Sequence, residues 1–522
     1  MGKGVAAEEQ SYWLPLFIIV IGAFAAVLNN SSVNVAIPKL MNIFGVSTNE
    51  IQWVLTSYTL TSGVVIPACG FLGDRFGNKR VYITALGVFT IGSVLCSLAW
   101  SNNSMVAFRV LQALGGGIVM PVSMVIIYKM VPMEKIGLAI GVWGMAAVMG
   151  PAIGPTLGGY IIDHFSWRLL FLVNVPVGII GITLSWLLLK ETSANTGTKF
   201  DLWGFLLSTT GCVALLMALS QGSKEGWTSY YIVMLFTLAF FALLLFVLVE
   251  LFTEDPLLNL RLLKNMTFTF SVIVSSLISI ALFGGVFLMP LFTQNLLGLS
   301  PYDTGLLLLP ASLVTGFMLP ISGILFDRFG VKAIGIAGLA ITGAATLELD
   351  HLSLSSSHKE IVVILAIRSF GMGLSMMPVT TAGMNVVARH LTGRASALNN
   401  VIRQIAASFG IAFLSALMQN RQNFHYSILA EKVTSSSLGL TLFSKQLQEI
   451  TSSSSAGSSQ GITLAVIWSL VQKQSLVNAI NDTFLVSSLF IFIAIPMIFF
   501  LSDARKAKKP LEQGAGNPSQ KG

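Results

Sequence analysis

Three arginines interrupt long apolar stretches of this chain, and they are the residues best suited to bind a ligand deep inside it: Arg109, Arg368 and Arg403. If those stretches cross a membrane, a charge at mid-bilayer costs at least about 2.5–3.5 kcal/mol, so such residues usually face a cavity or a partner. Helical spacing places Gln112 on the face of Arg109, and Asn399 on the face of Arg403. The pattern leaves two interpretations open: the arginines line a cavity, or those near segment ends, Arg368 and Arg403, snorkel to the interface.

Carboxyl groups are missing from the middle of every apolar stretch. The chain has 22 Asp and Glu residues, and those nearest to an apolar stretch lie at its ends: Asp163, Asp303, Glu348, Asp350, Asp482 and Glu250. Proton relays inside membranes are built from titratable side chains. Asp303 and Asp482 are the acids best placed to couple protons, so any such coupling would run near the ends of the segments.

Enzyme chemistry has no support in the motifs. The chain contains no HExxH, no Gly-x-Ser-x-Gly and no GxxxxGK[ST], and its five histidines are scattered without the spacing of metal ligands. The three cysteines, Cys69, Cys96 and Cys212, lie in apolar stretches and form no CxxC pair. We expect a protein that is not an enzyme and that uses no cofactor and no metal.

Composition identifies lipid as the surrounding solvent. Of the 522 residues, 54% are hydrophobic and 10% are charged, and the mean hydropathy is +0.80. Soluble domains carry about a quarter charged residues. A window of about 20 residues, the length that crosses the hydrocarbon layer, finds fourteen apolar segments. The chain is therefore predicted to be an all-α polytopic membrane protein with 14 transmembrane helices.

The distribution of positive charge predicts the topology. An even number of segments puts both termini on one side, and 19 of the 30 Lys and Arg residues fall on that side, against seven in the loops of the other. By the positive-inside rule both termini are cytoplasmic. The net charge of +8 is then a topology signal, and we expect no nucleic-acid partner.

A decapeptide that occurs twice predicts an internal duplication. Residues 70–79 (GFLGDRFGNK) and 323–332 (GILFDRFGVK) match at seven of ten positions, and each copy lies between two apolar segments. Duplicated helical bundles are how many secondary transporters are built. A positively charged anchor would explain Lys79 but not an acid, Asp74 or Asp327, at the same place in both copies. We interpret the turn as a latch between helices, in which the acid caps the next helix or pairs with a neighbouring arginine.

The repeat divides the chain into two six-helix halves with an inserted pair between them. The predicted units are a cytoplasmic N-terminus 1–12, an N-terminal bundle 13–189, inserted helices 7 and 8 at 202–251, a C-terminal bundle 268–502 and a disordered basic tail 503–522. The second bundle contains a long outer loop, 420–480. Its apolar stretch 461–470 is too short to span, so we expect an outer helix that packs or lies on the surface, or else a plain loop.

Four motifs resemble the major facilitator superfamily, in its fourteen-helix drug:proton antiporter branch. The repeated Gly-x-Leu-x-Asp-Arg-x-Gly-x-Lys turn is similar to the family's signature between helices 2 and 3. The run 150–159 (GPAIGPTLGG) resembles the helix-5 motif of the antiporters, and 109–112 (RVLQ) resembles the Arg-x-x-Gln of helix 4. Residues 167–178 (WRLLFLVNVPVG) are similar to the entry to helix 6. The resemblance covers roughly residues 13–502.

The resemblance implies a mechanism of alternating access. The two halves would rock about a central cavity, with a latch at the repeated turn formed by Gly70, Asp74, Arg75, Gly77, Lys79, Asp327 and Arg328. Glycines at 150, 154 and 158 share one helix face, where a neighbouring backbone can approach closely, and the prolines bend the helix. The resemblance adds that the helix-5 motif is a hinge and seal between the halves: Gly150, Pro151, Gly154, Pro155, Gly158 and Gly159.

Helix 1 departs from the family pattern at one position. Related antiporters carry Leu-Asp-x-Thr-x-Val-Asn-Val-Ala, whereas residues 28–36 read LNNSSVNVA, with Asn29 in place of the acid. An amide does not titrate, so the usual coupling step is in doubt and a cationic substrate is less favoured. The predicted cavity is lined by Asn29, Asn34, Arg109, Gln112, Met145, Asn399 and Arg403.

The sequence therefore predicts a bacterial cell-membrane transporter that exports bulky amphiphilic compounds. The strongest version is proton-coupled multidrug efflux. The alternative is export or flipping of lipid-like or anionic amphiphiles, with a coupling that uses no helix-1 acid. The expected partners are a small amphiphilic substrate, protons and membrane lipids, and the expected form is a monomer.

Overall fold

The computed structural model describes residues 12–132, 135–191, 201–253, 256–388, 391–432 and 459–502. Within these residues the chain is helical and contains no strand. Twelve helices are long and apolar enough to cross a membrane, and two further pairs of helices qualify if each bent pair is one span. The predicted all-α architecture with fourteen spans is thus confirmed. The predictions for the N-terminus before residue 12, the Ser-rich part of the long loop and the tail from residue 503 lie outside the described residues.

We number the spanning helices in chain order. The first six are α1 (Trp13–Phe44), α2 (Trp53–Val65, continued by Cys69–Phe76), α3 (Asn78–Ser97), α4 (Asn102–Met130), α5 (Ile136–His164) and α6 (Asn174–Leu188). The inserted pair is α7 (Leu202–Glu225) and α8 (Tyr230–Phe252). The last six are α9 (Met266–Leu291), α10 (Pro301–Phe329), α11 (Val331–Glu348), α12 (His358–Asn385), α13 (Thr392–Lys432) and α14 (Ser459–Ile498).

Prolines account for the two bent spans. The segments of α2 meet at 54° across a break that contains Pro67, and the two parts of α5 meet at 42° beside Pro151. Proline removes a backbone donor and its ring clashes with the preceding turn, so the helix bends there. Both bent helices pack against the opposite half of the molecule.

The two halves meet along two seams. On one side α5 packs against α10, and on the other α13 packs against the Cys69–Phe76 segment of α2 and against α4. The inserted helix α7 lies over the second seam, because it packs against both α2 and α13. Its partner α8 packs mainly on α7 and leaves most of its apolar surface exposed, as a lipid-facing helix does.

Two helices are longer than a bilayer requires. The 41 residues of α13 and the 40 residues of α14 each correspond to about 60 Å of helix, roughly twice the hydrocarbon thickness. The apolar stretch 461–470 is helical, as expected, and it forms the beginning of α14. It continues into the last span because α13 and α14 pair side by side, with Trp468 Nε1 donating to Tyr426 Oη at 2.9 Å.

Candidate functional site

The first copy of the repeated turn ties the two halves together. Asp74, at the end of α2, lies 3.7 Å from Arg394 in the first turn of α13, and both side chains are mostly buried. Gly70 lies directly under that turn, because a Cβ built there would be 3.2 Å from Arg394 Cα. The predicted pairing of the acid with an arginine is therefore present, and the arginine belongs to the opposite half. We call the Asp74–Arg394 contact the latch, and this end of the bundle the latch end.

The second copy makes the equivalent approach to α5. A Cβ built on Gly137 would lie 3.1 Å from Asp327 Oδ2, so the acid sits beside the first turn of that helix. Gly323, the counterpart of Gly70, is in direct backbone contact with Gly137. An ideal Cβ built on Gly323 would lie 2.9 Å from Leu138 N. Each acid thus lies beside the start of a helix in the other half.

The remaining residues of the turn shape it. Gly77 and Gly330 have φ of 86° and 81°, a backbone conformation that residues with a Cβ rarely adopt. Arg75 stacks over Phe71 and Phe76, and Arg328 stacks over Phe329. Lys79 Nζ donates to the carbonyl of Trp186 on α6, at 2.6 Å. These contacts stay within one half, whereas the acid and the first glycine of each copy approach the other half.

A small central cavity lies between the halves, next to the latch end. It is lined by α4, α5, α10, α12 and α13, through Met124, Ile140, Trp143, Gly144, Ala147, Leu319, Met376, Met377, Thr380, Asn399, Asn400 and Arg403. Among these residues none is acidic, and Arg403 is the cation. Arg403 is held in place by Asn400, whose Oδ1 accepts from Nη2 at 2.9 Å. Two of the predicted cavity residues, Asn399 and Arg403, therefore lie on this cavity.

Met145 lies one residue from this lining and faces the seam between the halves. A Cβ on Gly316 of α10 would be 3.4 Å from Met145 Cγ. Met145 therefore contacts the opposite half but is not among the residues that line the cavity.

Arg109 is fully buried inside the N-terminal half. Its Nε donates to the carbonyl of Val54 at 3.1 Å, its Nη1 to Gln112 at 2.8 Å and its Nη2 to Asn30 at 3.3 Å. The guanidinium also stacks over Tyr58, 4.3 Å from the ring centre.

Gln112 extends this network to α3, because its Nε2 donates to Ser93 Oγ at 2.7 Å. The guanidinium thus joins α1, α2 and α4, and Gln112 adds α3. A planar group with several donors is suited to this role. The structure makes Arg109 the centre of a network rather than an open cavity wall.

Arg368 has the same character in the C-terminal half. It is buried, and it donates to Thr346 Oγ1 at 3.1 Å and to the carbonyl of Ala281 at 2.7 Å. Arg368 therefore does not snorkel to the membrane interface, because its guanidinium is bound inside the half. Within the residues that the structure describes, no carboxylate pairs with Arg109 or Arg368, so both charges rely on hydrogen bonds.

The helix-1 amides are divided between two faces. Asn29 is buried and its Oδ1 accepts from Asn174 of α6 at 2.9 Å, so its side chain points into the N-terminal half and not toward the space between the halves. Asn34 is exposed. Asn30 contacts Arg109, although sequence reasoning missed it. The sequence did carry a signal for Asn30: it lies four residues before the predicted cavity residue Asn34, and therefore on the same face of α1.

The glycine face of α5 packs against α1, not against the other half. Ideal Cβ atoms on Gly150 and Gly158 would lie 2.6 Å from Val27 Cγ1 and 2.9 Å from the Ser32 carbonyl, and one on Gly154 would collide with Ser31. The expectation that these glycines seal the two halves against each other is therefore wrong, because they face α1 of their own half. Gly159, 3.9 Å from Tyr302 of α10 by the same measure, does face the other half. Of the two prolines, Pro151 is exposed and Pro155 half-buried.

The two acids proposed for coupling lie in different surroundings. Asp303 is exposed in the first turn of α10 and accepts from Ser300 Oγ at 2.6 Å. Asp482 lies between α14 and α13, where its Oδ2 pairs with Arg421 and with His425. Neither contacts the central cavity.

These features define a class: two helical bundles that meet around a central cavity, closed at one end by charged turns, form a membrane transporter. A family model for the Major Facilitator Superfamily matches residues 19–411. The chain belongs to the Major Facilitator Superfamily, whose members are transporters and not enzymes.

Individual relatives cover nearly the whole chain. The multidrug transporter protein MdtP of Bacillus subtilis is 30% identical over 507 residues, which is 95% of this chain and 94% of the relative. The fatty acid resistance protein FarB of Neisseria gonorrhoeae is 29% identical over 503 residues, 95% and 96% of the two chains. The crystal structure of the human organic anion transporter MFSD10 superposes with a TM-score of 0.61 at 12% identity, covering 94% of this chain and 99% of that one.

Proposed function

We propose that this transporter exports bulky amphiphilic compounds from the bacterial cell in exchange for protons. The observation that carries the proposal is the lining of the central cavity. It is built mainly from apolar side chains of both halves, with polar side chains at Thr380, Asn399, Asn400 and Arg403 and no carboxylate among the described lining residues. Apolar walls with a few placed polar groups are typical of sites for small amphiphilic molecules. The similarity to the multidrug transporter MdtP supports the same class of substrate.

The closed latch fits one state of an alternating-access cycle. We infer that both termini and the latch end are cytoplasmic, as the distribution of Lys and Arg favours. With Asp74 and Arg394 in contact, the cavity is shut off from that side. Separation of the two charges would let the halves rock apart and widen a cavity that is small here.

Arg403 favours a second candidate, the export of anionic or lipid-like amphiphiles. A guanidinium in an apolar site attracts carboxylates and sulfonates and repels cations, because charges interact strongly where water is excluded. FarB, by its name, acts in resistance to fatty acids. Both candidates share one expectation: neutral and anionic amphiphiles are preferred to permanent dications.

Transport by the purified protein in proteoliposomes, with an imposed pH gradient, tests this proposal. Three probes separate the candidates: a long-chain fatty acid, a neutral dye and a divalent cationic dye. We expect gradient-dependent movement of the first two and at least about tenfold slower movement of the dication, the ratio that corresponds to about 1.4 kcal/mol.

Two substitutions at one position isolate the charge. Arg403→Gln removes it, and Arg403→Lys keeps it while changing the shape. We expect Arg403→Gln to slow the fatty acid and to reduce the discrimination against the dication, and Arg403→Lys to retain that discrimination. Equal rates for the dication and the neutral dye in the unsubstituted protein would contradict the proposal, and a rate independent of the pH gradient would contradict its proton coupling.

A further inference from the structure

A buried acid lies at the foot of the inserted helix pair. Glu250 is the single charged residue of α8, and it is only 1% exposed. Its Oε1 accepts from the backbone N–H of Leu258 at 3.0 Å, whereas its Oε2 has no hydrogen-bond partner among the described residues. The chain beyond α8 folds back over the carboxyl group, with Leu257 and Leu258 both buried. An acid kept out of water in this way needs a reason, because ionised carboxylates are costly to bury.

A second carboxyl group converges on the same place. Asp201 caps the start of α7, where its Oδ1 accepts from Gly204 N at 2.8 Å, and its Oδ2 has no partner among the described residues. A Cβ built on Gly204 would collide with Asp201 Oδ2 and would lie 3.1 Å from Glu250 Oε1. The two carboxyl groups therefore meet over one glycine, each with an oxygen still able to take a hydrogen bond.

The helix ends distinguish the two acids. Asp201 lies at the N-terminus of α7, where the helix dipole favours a negative charge, and Glu250 lies in the last turn of α8, where it disfavours one. Two carboxyl groups that share a site rarely ionise together. The arrangement suits an ionised Asp201 and a proton carried by Glu250.

The charges that face this pair come from three neighbouring elements. Arg261, on the short helix after α8, donates Nη2 to the carbonyls of Leu251 and Thr253 at 3.2 and 3.5 Å. From α13 comes Arg394, the cation of the latch: α13 packs against α7, and Leu258, whose N–H binds Glu250, lies in the same buried apolar cluster as Ala395. From α7 comes Asp201. The acid pair therefore lies near the start of α13, where Asp74 holds the Arg394 guanidinium.

We propose that Glu250 and Asp201 form a proton-binding site that controls the Asp74–Arg394 latch. With the proton bound, the pair carries one negative charge and Arg394 stays with Asp74. With the proton released, the pair carries two negative charges, competes with Asp74 for Arg394 and loosens the latch. The inserted helices would thereby supply the titratable group that helix 1 lacks at Asn29, an assignment that rests on the proposed proton coupling.

Infrared difference spectroscopy of the full-length protein in nanodiscs detects the proton directly. We expect the carbonyl band of a protonated carboxylic acid to disappear as the pH is raised, and to be absent from Glu250→Gln at every pH. Asp201→Asn should shift the transition to lower pH, because it removes the negative charge that disfavours ionisation of Glu250. Glu431→Gln, at an exposed position of α13, is the matched control and should leave the band unchanged. A band that persists in Glu250→Gln would overturn the assignment.

Cysteine accessibility reports the latch without any substrate. Ser396 is buried between the halves, with its Oγ donating to the carbonyl of Pro121 at 3.4 Å. In a background that lacks Cys69, Cys96 and Cys212, Ser396→Cys is labelled with a water-soluble maleimide, and each rate is divided by that of Ser47→Cys, an exposed position, at the same pH. We expect the ratio to rise roughly fivefold as the pH is raised, the size of a modest coupling between sites. With Glu250→Gln added, the ratio should stay at its low-pH value.

The possible results separate this inference from the proposed function. A pH-dependent ratio that is unchanged by Glu250→Gln, or a ratio that follows the sodium concentration rather than the pH, would overturn the proton site. Because both measurements use no substrate, they can succeed when efflux of amphiphiles fails. A proton site that is present in a protein without efflux would contradict the proposed function alone.

Discussion

The two copies of the repeated decapeptide both approach the opposite half, but at different distances and against different residues. Both place an acid at the start of a helix from the opposite half, and both turn on a glycine with positive φ. In the first copy the contact is an ion pair, Asp74 with Arg394. In the second, Gly323 comes into direct backbone contact with Gly137, closer than Gly70 comes to Arg394. A conserved local sequence therefore fixes where two helices meet, but not which force holds them there.

The two copies differ because the helices that they contact, α13 and α5, begin with different residues. The first three residues of α13 are 392–394 (TGR), and those of α5 are 136–138 (IGL). Each has glycine at its second position, so the backbone of the turn can approach closely in both. The third residue is Arg394 in one case and Leu138 in the other, and this supplies a cation to Asp74 that the equivalent position does not supply to Asp327. The first copy thus meets the other half through an ion pair to Arg394, and the second brings the backbones of Gly323 and Gly137 into direct contact.

Removal of each acid should give the largest difference between the copies. We expect Asp74→Asn to slow transport about tenfold or more, because the lost charge-assisted contact is worth roughly 1.5–3 kcal/mol, and Asp327→Asn to slow it about threefold or less. Both changes keep the side-chain volume, so expression should be unaffected. Transport rates in proteoliposomes, normalised to the amount of protein, measure the effect. Equal losses in the two variants would mean that the copies work alike.

Substitution of the first glycine of each copy by alanine should affect the second copy more than the first. An ideal Cβ on Gly323 would lie 2.5 Å from the carbonyl carbon of Gly137, whereas one on Gly70 would lie 3.2 Å from Arg394 Cα. Gly323→Ala must displace backbone, and overpacking of this kind costs about 1–3 kcal/mol. We therefore expect a lower thermal unfolding temperature for Gly323→Ala than for Gly70→Ala in detergent. If Gly70→Ala is the less stable of the two, the seam is not held by backbone packing at the second copy.

The turn glycines should show almost no difference between the copies. Gly77 and Gly330 have φ of 86° and 81°, and a Cβ in that region costs about 1–3 kcal/mol. Gly77→Ala and Gly330→Ala should therefore lower the unfolding temperature by similar amounts, as measured by the same assay. A clearly larger loss at one of them would show that its turn has a role beyond geometry.

The architecture was predictable from the sequence because its signals are local. Apolar length sets the number of spans, and the decapeptide marks both latch turns by itself. The pairing of Asp74 with an arginine was also foreseeable as one of two alternatives. Its partner Arg394 was not, because it is more than 300 residues away and nothing in the decapeptide specifies which helix it meets.

The direction in which buried side chains point was the less predictable part. Asn29 and Asn30 are adjacent, yet one faces α6 and the other Arg109. Gly150, Gly154 and Gly158 were correctly expected to permit a close backbone approach, but they contact α1 instead of the other half. A glycine face or a polar residue shows that a close neighbour exists, and only the tertiary packing decides which one.

The central claim is that the Asp74–Arg394 pair acts as one unit that transport requires. A double-mutant cycle of transport rates tests it most directly, with Asp74→Asn, Arg394→Gln and the combination of both. We predict that the combined variant is no slower than the worse single variant, so that the coupling between the two positions is about 1–3 kcal/mol. Losses that simply add, which indicate two independent residues, would contradict the account.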